Sequence, residues 1–374
     1  MKRTIALIIL FAVAASAAER KAKNVVLFVG DACGISVLTI AGIQAGKPQG
    51  LFIHKMPNIG LMDTSAAKLW VTDSAAAMTA IVTGEKTQNG VISQSASAVR
   101  GKQDGETLKT ILEYAEEHGL STGVITNDVV TGATAAACYS HSNDRRKSGE
   151  ILAQLLKPRF GDGVDILIGT AGKVLADASA AAGSDIEAGL RNKGYTLFKS
   201  LEELQPGTRR AIVLLDSSEF DLEKAVRQTT EILSRNSKGY FLMVECDLHT
   251  DKLKRGLDRT LLFDGIIERT VRASKGNTLV IFSADHSFDT RLRAGTKGES
   301  LLPPETTAKP ATPAAKPAIR VDGGHTGEEV LVAAQGPGSE RVKGFFPNTQ
   351  LFRIMMAAYG WNPSPKPTAI SPSR

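Results

Sequence analysis

Ser74 stands directly ahead of Ala75-Ala76-Ala77-Met78-Thr79-Ala80, with Asp73 before it. The small residues favour a helix, and a serine at its start has two readings. It can cap the helix. It can also be a nucleophile, placed where the free N–H groups of the first turn face an anion. A serine nucleophile needs activation by a base or a metal. Candidates for that work end three apolar runs: Val29-Gly30-Asp31, Val244-Glu245-Cys246-Asp247-Leu248-His249 and Ser283-Ala284-Asp285-His286. Of six histidines, three (His249, His286 and His325) fall at run ends or beside glycines in this pattern. One carboxylate there, such as Asp31, could be a helix cap. Several carboxylates at one edge would repel each other unless cations sat among them. Carboxylate with imidazole is a zinc ligand set, and carboxylate with hydroxyl suits magnesium. A serine beside such a centre points to displacement at phosphorus, with two metal ions clamping the attacking and leaving oxygens. The equatorial oxygens then call for a guanidinium fork. Arg145 or Arg146, in a loop beyond a strand, could supply it.

These residues need a frame that gathers strand ends. Apolar runs at 24–31, 121–126, 164–169, 211–215, 240–244, 278–282 and 330–334 read as strands, with a short one at 60–64. Helical spacing covers 107–118, 222–233, 255–273 and 349–359, besides the Ser74 helix closed by Gly84. Alternating strands and helices predict a three-layer α/β sandwich on a mostly parallel sheet, with ligands beyond the carboxyl ends of the strands. No stretch inside 24–360 reads as an interdomain linker, so a single domain over 19–362 is expected. Residues 298–319, rich in Pro, Ala, Lys and Thr, read as a mobile loop. The Pro- and Ser-rich tail from 363 reads as disordered.

Residues 1–18 have a basic start, a short apolar run and a small-residue end, the pattern of a cleaved signal peptide. That predicts a periplasmic or secreted protein, with no membrane contact once the leader is removed. The formal charge of +6 includes Lys2 and Arg3 of that leader. Both signs are spread along the chain, which excludes a nucleic-acid-binding stripe. Cys33, Cys138 and Cys246 fit no metal knuckle, read as buried small residues, and allow at most one disulfide.

Beyond these single features, an ordered set of motifs resembles the alkaline phosphatases over nearly all of residues 24–360. Gly30-Asp31 is similar to the family's first metal aspartate. Thr72-Asp73-Ser74-Ala75-Ala76 resembles its nucleophile motif, and 83–90 the stretch that follows. Ala133-Thr134-Ala135-Ala136 resembles the segment with a magnesium-binding threonine. His141-Ser142-Asn143-Asp144-Arg145 resembles the segment with the phosphate-binding arginine. Phe241–Glu245, Ala284–Ser287 and Gly324–Gly327 resemble the later metal motifs.

The resemblance implies a metal-dependent phosphomonoesterase with two zinc ions and one magnesium ion. Ser74 would be phosphorylated, and Arg145, oriented by Asp73, would hold phosphoryl oxygens. One zinc would sit on Asp31, Asp285 and His286. The other would take His325 with groups from the 247–251 stretch. Magnesium would sit on Asp31, Thr134 and Glu245. Small phosphate monoesters are the implied substrates, and the family's habit of dimerising makes a homodimer an allowed expectation.

The chain also departs from the family. The stretch after Glu245 is shorter than the family's, so Asp247 is the first choice of ligand. Its partner is either His249, two residues on, or Asp251, which keeps the family spacing of four. Gly132 stands where many members carry Asp or His near magnesium. The long insertions of larger members are missing, which allows a more open site. A phosphodiesterase of the same superfamily and a non-catalytic phosphate- or metal-binding relative are the competing readings. A sulfatase is disfavoured, because no Cys/Ser-x-Pro-x-Arg pattern surrounds Ser74.

Overall fold

A computed structural model describes residues 21–47, 50–302 and 317–362. The expected leader at 1–18, residues 303–316 of the Pro- and Ala-rich connection, and the tail from 363 lie outside the described residues.

The strands are β1 (Asn24–Asp31), β2 (Asn58–Asp63), β3 (Ser121–Val129), β4 (Ile166–Thr170), β5 (Thr196–Phe198), β6 (Ala211–Leu215), β7 (Tyr240–Asp247), β8 (Thr278–Ala284), β9 (Ser287–Leu292), β10 (Ile319–Thr326), β11 (Val330–Gln335) and β12 (Gly344–Pro347). The helices are α1 (Ile35–Gln44), α2 (Ser74–Thr83), α3 (Ile111–Glu117), α4 (Ala133–Tyr139), α5 (Ser148–Ala153), α6 (Val174–Ala182), α7 (Ile186–Asn192), α8 (Leu222–Leu233), α9 (Leu253–Ala273) and α10 (Thr349–Tyr359).

Ten strands form one sheet in the order β12-β2-β11-β8-β1-β7-β3-β4-β6-β5. Its pairings are parallel except those that β11 makes with β2 and β8. Every residue of β1 and β8 is buried, which requires cover on both faces. Helices α2, α3, α4 and α10 pack on one another, whereas α1 packs on α9, and α8 and α9 lie along β3 and β7. Phe28 of β1 and Phe282 of β8 meet Phe263 of α9 edge-on, at centroid distances of 5.5 and 6.5 Å. Each such ring contributes roughly 1.5–3 kcal/mol by leaving water. The chain is therefore an α/β sandwich built on a mostly parallel sheet.

Local chemistry moved some boundaries. The helix expected over 107–118 begins at Ile111, because Thr110 closes a capping box with Glu113: Thr110 Oγ1 accepts from the Glu113 N–H at 3.1 Å, and Glu113 Oε2 accepts from the Thr110 N–H at 2.9 Å. Helices α1 and α4 were not expected from spacing. Their residues are apolar or small nearly all round, and every residue of α4 is buried, so no polar face marks a 3.6-residue period. The segment at 319–326, expected only as a glycine turn, pairs with β9 as a separate antiparallel ribbon.

Candidate active site

Register brings the acidic strand ends together. Asp31 pairs with Asp247 across β1 and β7, Gly30 pairs with Ala284 across β1 and β8, and Thr126 pairs with Glu245 across β3 and β7. Asp31, Glu245, Asp247 and Asp285 thus share the carboxyl edge of three adjacent strands, β8, β1 and β7, with Thr126 of β3 beside them. Ala32, just past Asp31, adopts a left-handed φ of 65°. For alanine this costs on the order of 1 kcal/mol. It turns the Ala32 N–H onto Asp285 Oδ1 at 3.1 Å. Asp285 Oδ1 also accepts from the His286 N–H at 2.9 Å.

Ser74 opens α2 but does not cap it. The cap is Asp73, whose Oδ1 accepts from the Ala76 N–H at 3.0 Å. The Ser74 hydroxyl is left free for other contacts. It lies buried, 3.2 Å from His286 Nε2 and 3.5 Å from Asp31 Oδ2. The other Asp73 oxygen takes a hydrogen bond from Arg145 Nη1 at 3.3 Å, so one carboxylate joins the helix start to the guanidinium. Arg146 turns away onto Asp144, and together with Arg100 it holds the Asp144 carboxyl down at about 2.

Among the described residues, Asp31, Asp285 and His286 form the acid and imidazole group whose donor atoms lie within 4.8 Å of one another. Two of those atoms, Asp31 Oδ1 and Asp285 Oδ2, are buried and accept no hydrogen bond. His286 Nε2 stands 3.3 Å from the first and 3.4 Å from the second. Burial, and then the charge of Asp31, push the Asp285 carboxyl up to about 8. Burial pushes His286 below its ordinary value, so its Nε2 is available as a neutral donor atom. Orphaned carboxylate oxygens converging with a neutral imidazole are the donor set of a divalent cation.

His325 enters from β10, its ring stacked on His286 at 3.6 Å and its Nδ1 2.9 Å from the Thr72 carbonyl. His249 Nδ1 lies 2.8 Å from Asp247 Oδ1, and its ring centroid is 5.9 Å from that of His325. Burial alone would lower His249, but the hydrogen bond to Asp247 and the charge of Asp31 outweigh it and raise it to about 9. Asp251 is exposed in the turn before α9 and makes no hydrogen bond to these groups. Sequence reasoning missed Arg259. This guanidinium, buried in α9, donates from Nη1 to Asp247 Oδ2 at 2.9 Å and pairs with Glu219. Burial would raise Asp247, yet His249 and then Arg259 bring it down to about 2. An Arg in a helix is an ordinary surface residue by pattern, so only the tertiary contact marks it.

Glu245 is buried with Oε2 unpartnered. Burial and the charges of Asp31 and Asp128 push its carboxyl far up, against hydrogen bonds from the Thr126 and Thr134 hydroxyls. Thr134, buried in the first turn of α4, thus meets Glu245 across the sheet edge. The cysteines are buried and unpaired. Of the remaining histidines, His118 stacks on Trp361 and His141 bonds Glu113.

A parallel-sheet sandwich with serine, acids and imidazoles at one sheet edge is the architecture of the alkaline phosphatases. The alkaline phosphatase from the Antarctic bacterium TAB5 superposes with a TM-score of 0.75 at 24% identity, over 92% of this chain and 100% of that one. The Thermus thermophilus alkaline phosphatase gives 0.76 at 23%, over 92% of each chain. In sequence, the chain is 28% identical to the alkaline phosphatase of Escherichia fergusonii, over 93% of this chain and 88% of the relative. It is 27% identical to that of Escherichia coli K12, over 92% and 88%. The alkaline phosphatase family pattern matches residues 22–209 and 210–312, and the chain belongs to that family. The match ends before His325.

Proposed function

We propose that this protein is an exported, metal-dependent phosphatase that hydrolyses phosphate monoesters through a phosphoserine on Ser74. The observation that carries the reading is the buried, non-capping Ser74 hydroxyl, held against His286 Nε2 and Asp31 Oδ2 in a cluster whose Asp31 Oδ1 and Asp285 Oδ2 are unpartnered. Membership of the family supports phosphate esters as substrates. Variants of the TAB5 enzyme have been solved with magnesium in their M3 site. The leader pattern at 1–18 supports export, and no helix among the described residues is long and apolar enough to cross a membrane.

In this reading Asp31, Asp285 and His286 hold one zinc ion. His325 and Asp247 hold the other, with His249 supported over Asp251 by its position. Asp31, Thr134 and Glu245 hold magnesium. Bound metal lowers the pKa of hydroxyl groups and neutralises charge on phosphoryl oxygens. Ser74 Oγ gives up its proton and attacks phosphorus, the bond from phosphorus to the substrate oxygen breaks, and that oxygen leaves with the electron pair and takes a proton from solvent to become the alcohol. Water then gives up a proton and attacks the phosphoserine, the bond from phosphorus to Ser74 Oγ breaks with its electron pair on Oγ, and Oγ regains a proton as phosphate is released. The Arg145 fork holds two phosphoryl oxygens, with Asp73 fixing its direction. The N–H groups of the first turn of α2 add a positive end. Most of the acceleration comes from such preorganised charge.

The test is turnover of an aryl phosphate monoester and an aryl phosphate diester, across alkaline pH, by protein reconstituted with zinc and magnesium. The monoester is expected to be the faster substrate. Ser74→Ala is expected to abolish turnover with zinc content unchanged. Most of the activity surviving in Ser74→Ala would remove the nucleophile, and a faster diester would turn the reading to a phosphodiesterase.

A further inference from the structure

Gly132 caps the N-terminus of α4 with an ordinary φ of −53°, so its backbone does not demand glycine. Space does. A Cβ at 132 would lie 2.9 Å from Asp128 Oδ2 and 2.9 Å from the Val129 carbonyl. The Asp128 carboxylate therefore occupies the volume into which a side chain at 132 would project. It reaches there because β3 leaves register with β4 between Ile125 and Val129. Asp128 is two residues beyond Thr126, whose Oγ1 accepts from the Asp128 N–H at 2.8 Å. Next to it, Asn127 Oδ1 accepts from the Asp247 N–H at 2.7 Å, which ties this strand end to β7.

A buried orphan points to a cation beside it. Glu245 Oε2 is unpartnered, on a residue only 2% exposed. Asp128 is exposed, and its charge acts on Glu245 and on Asp31. It stands outside the set of donor atoms that converge within 4.8 Å. Magnesium dehydrates reluctantly and keeps several waters, which outer carboxylates then hold.

We propose that Asp128 is a positioning residue for the magnesium site of Asp31, Thr134 and Glu245, holding the ion's water from the space that Gly132 leaves open. This rests on the magnesium reading given above. The surrounding protein atoms, and the charges of Asp31 and Asp247, push the Asp128 carboxyl up, so the same groups that would share a cation with it repel it without one.

The experiment is calorimetric titration of magnesium into zinc-loaded protein, with the melting temperature measured with and without magnesium. The proteins are wild type, Asp128→Asn, Asp128→Ala and Glu245→Gln. Both Asp128 variants are expected to bind magnesium about 10–100-fold more weakly, the usual cost of losing an outer-shell partner. Their magnesium-free melting temperature should match or exceed that of wild type, because the repulsion on Asp128 is removed with its charge. Unchanged magnesium affinity in both Asp128 variants, with Glu245→Gln impaired, overturns the role of Asp128 and leaves the magnesium site standing. Unchanged affinity in all three variants overturns the magnesium site as well. Altered phosphate affinity with unchanged magnesium affinity would assign Asp128 to Arg145, whose charge also reaches it, and would equally overturn the proposal.

Discussion

Asp73 does two jobs with its two oxygens, one on the Ala76 N–H and one on Arg145. The guanidinium pair is about a third exposed on the Arg145 side, so its net worth to stability is at most about 1 kcal/mol. Its value lies in direction. Arg145→Ala is therefore expected to lower monoester kcat/KM by about 10²–10³-fold while the melting temperature hardly moves. A parallel fall in stability would mean the residue is structural. At this scale the acids and imidazoles were legible because apolar strands stop at them. Asp73 as the cap was harder to read, since Asp and Ser are equally good caps and only the observed hydrogen bond separates them. The Arg259–Asp247 pair was not legible, because it joins a mid-helix position to a strand end through tertiary contact.

Among the elements, the turn from β1 to α1 shows how tightly the edge is built. An added Cβ on Gly34 would fall 2.1 Å from Ser287 Oγ and 3.3 Å from its Cα. The Ser287 carbonyl lies 3.1 Å from His286 Nδ1. Gly34→Ala must therefore push β9 outward and carry His286 with it. Its expected effect is a loss of about 1–3 kcal/mol in urea unfolding of the metal-free protein, together with weaker zinc binding. An Ala variant with wild-type stability would show that the ribbon yields freely. The buried parallel strands were readable from unbroken apolar runs. Helix α4 and the β9–β10 ribbon were not, because the first lacks a polar face and the second pairs across a long stretch of chain.

Across the whole molecule, stability is set by charges as well as by the core. Glu116, far from the candidate site, accepts from the Thr122 hydroxyl at 2.6 Å. Burial, and then Asp165 and Asp162, lift its carboxyl from an ordinary 4.5 to about 8. Asp165, raised mainly by burial, sits at about 6. Between pH 4.5 and 8 the folded chain holds a proton on Glu116 that the unfolded chain has lost. Stability from this group is thus complete below pH 4.5 and declines as pH rises towards 8. Glu116→Gln is expected to flatten that decline, read as the difference in urea midpoints at pH 5 and pH 8.5. Equal pH dependence in both proteins would remove Glu116 as a contributor.

The three strands that end in the gathered acids, β8, β1 and β7, and β3 beside them are neighbours in the interior of the ten-stranded sheet. Fraying begins at margins, here β12 on one side and β5 on the other. Heat or denaturant can peel either border while the four interior strand ends keep their spacing. Loss of the reactive centre should then coincide with the last cooperative step of melting, and amide protons at its base should be among the slowest to exchange.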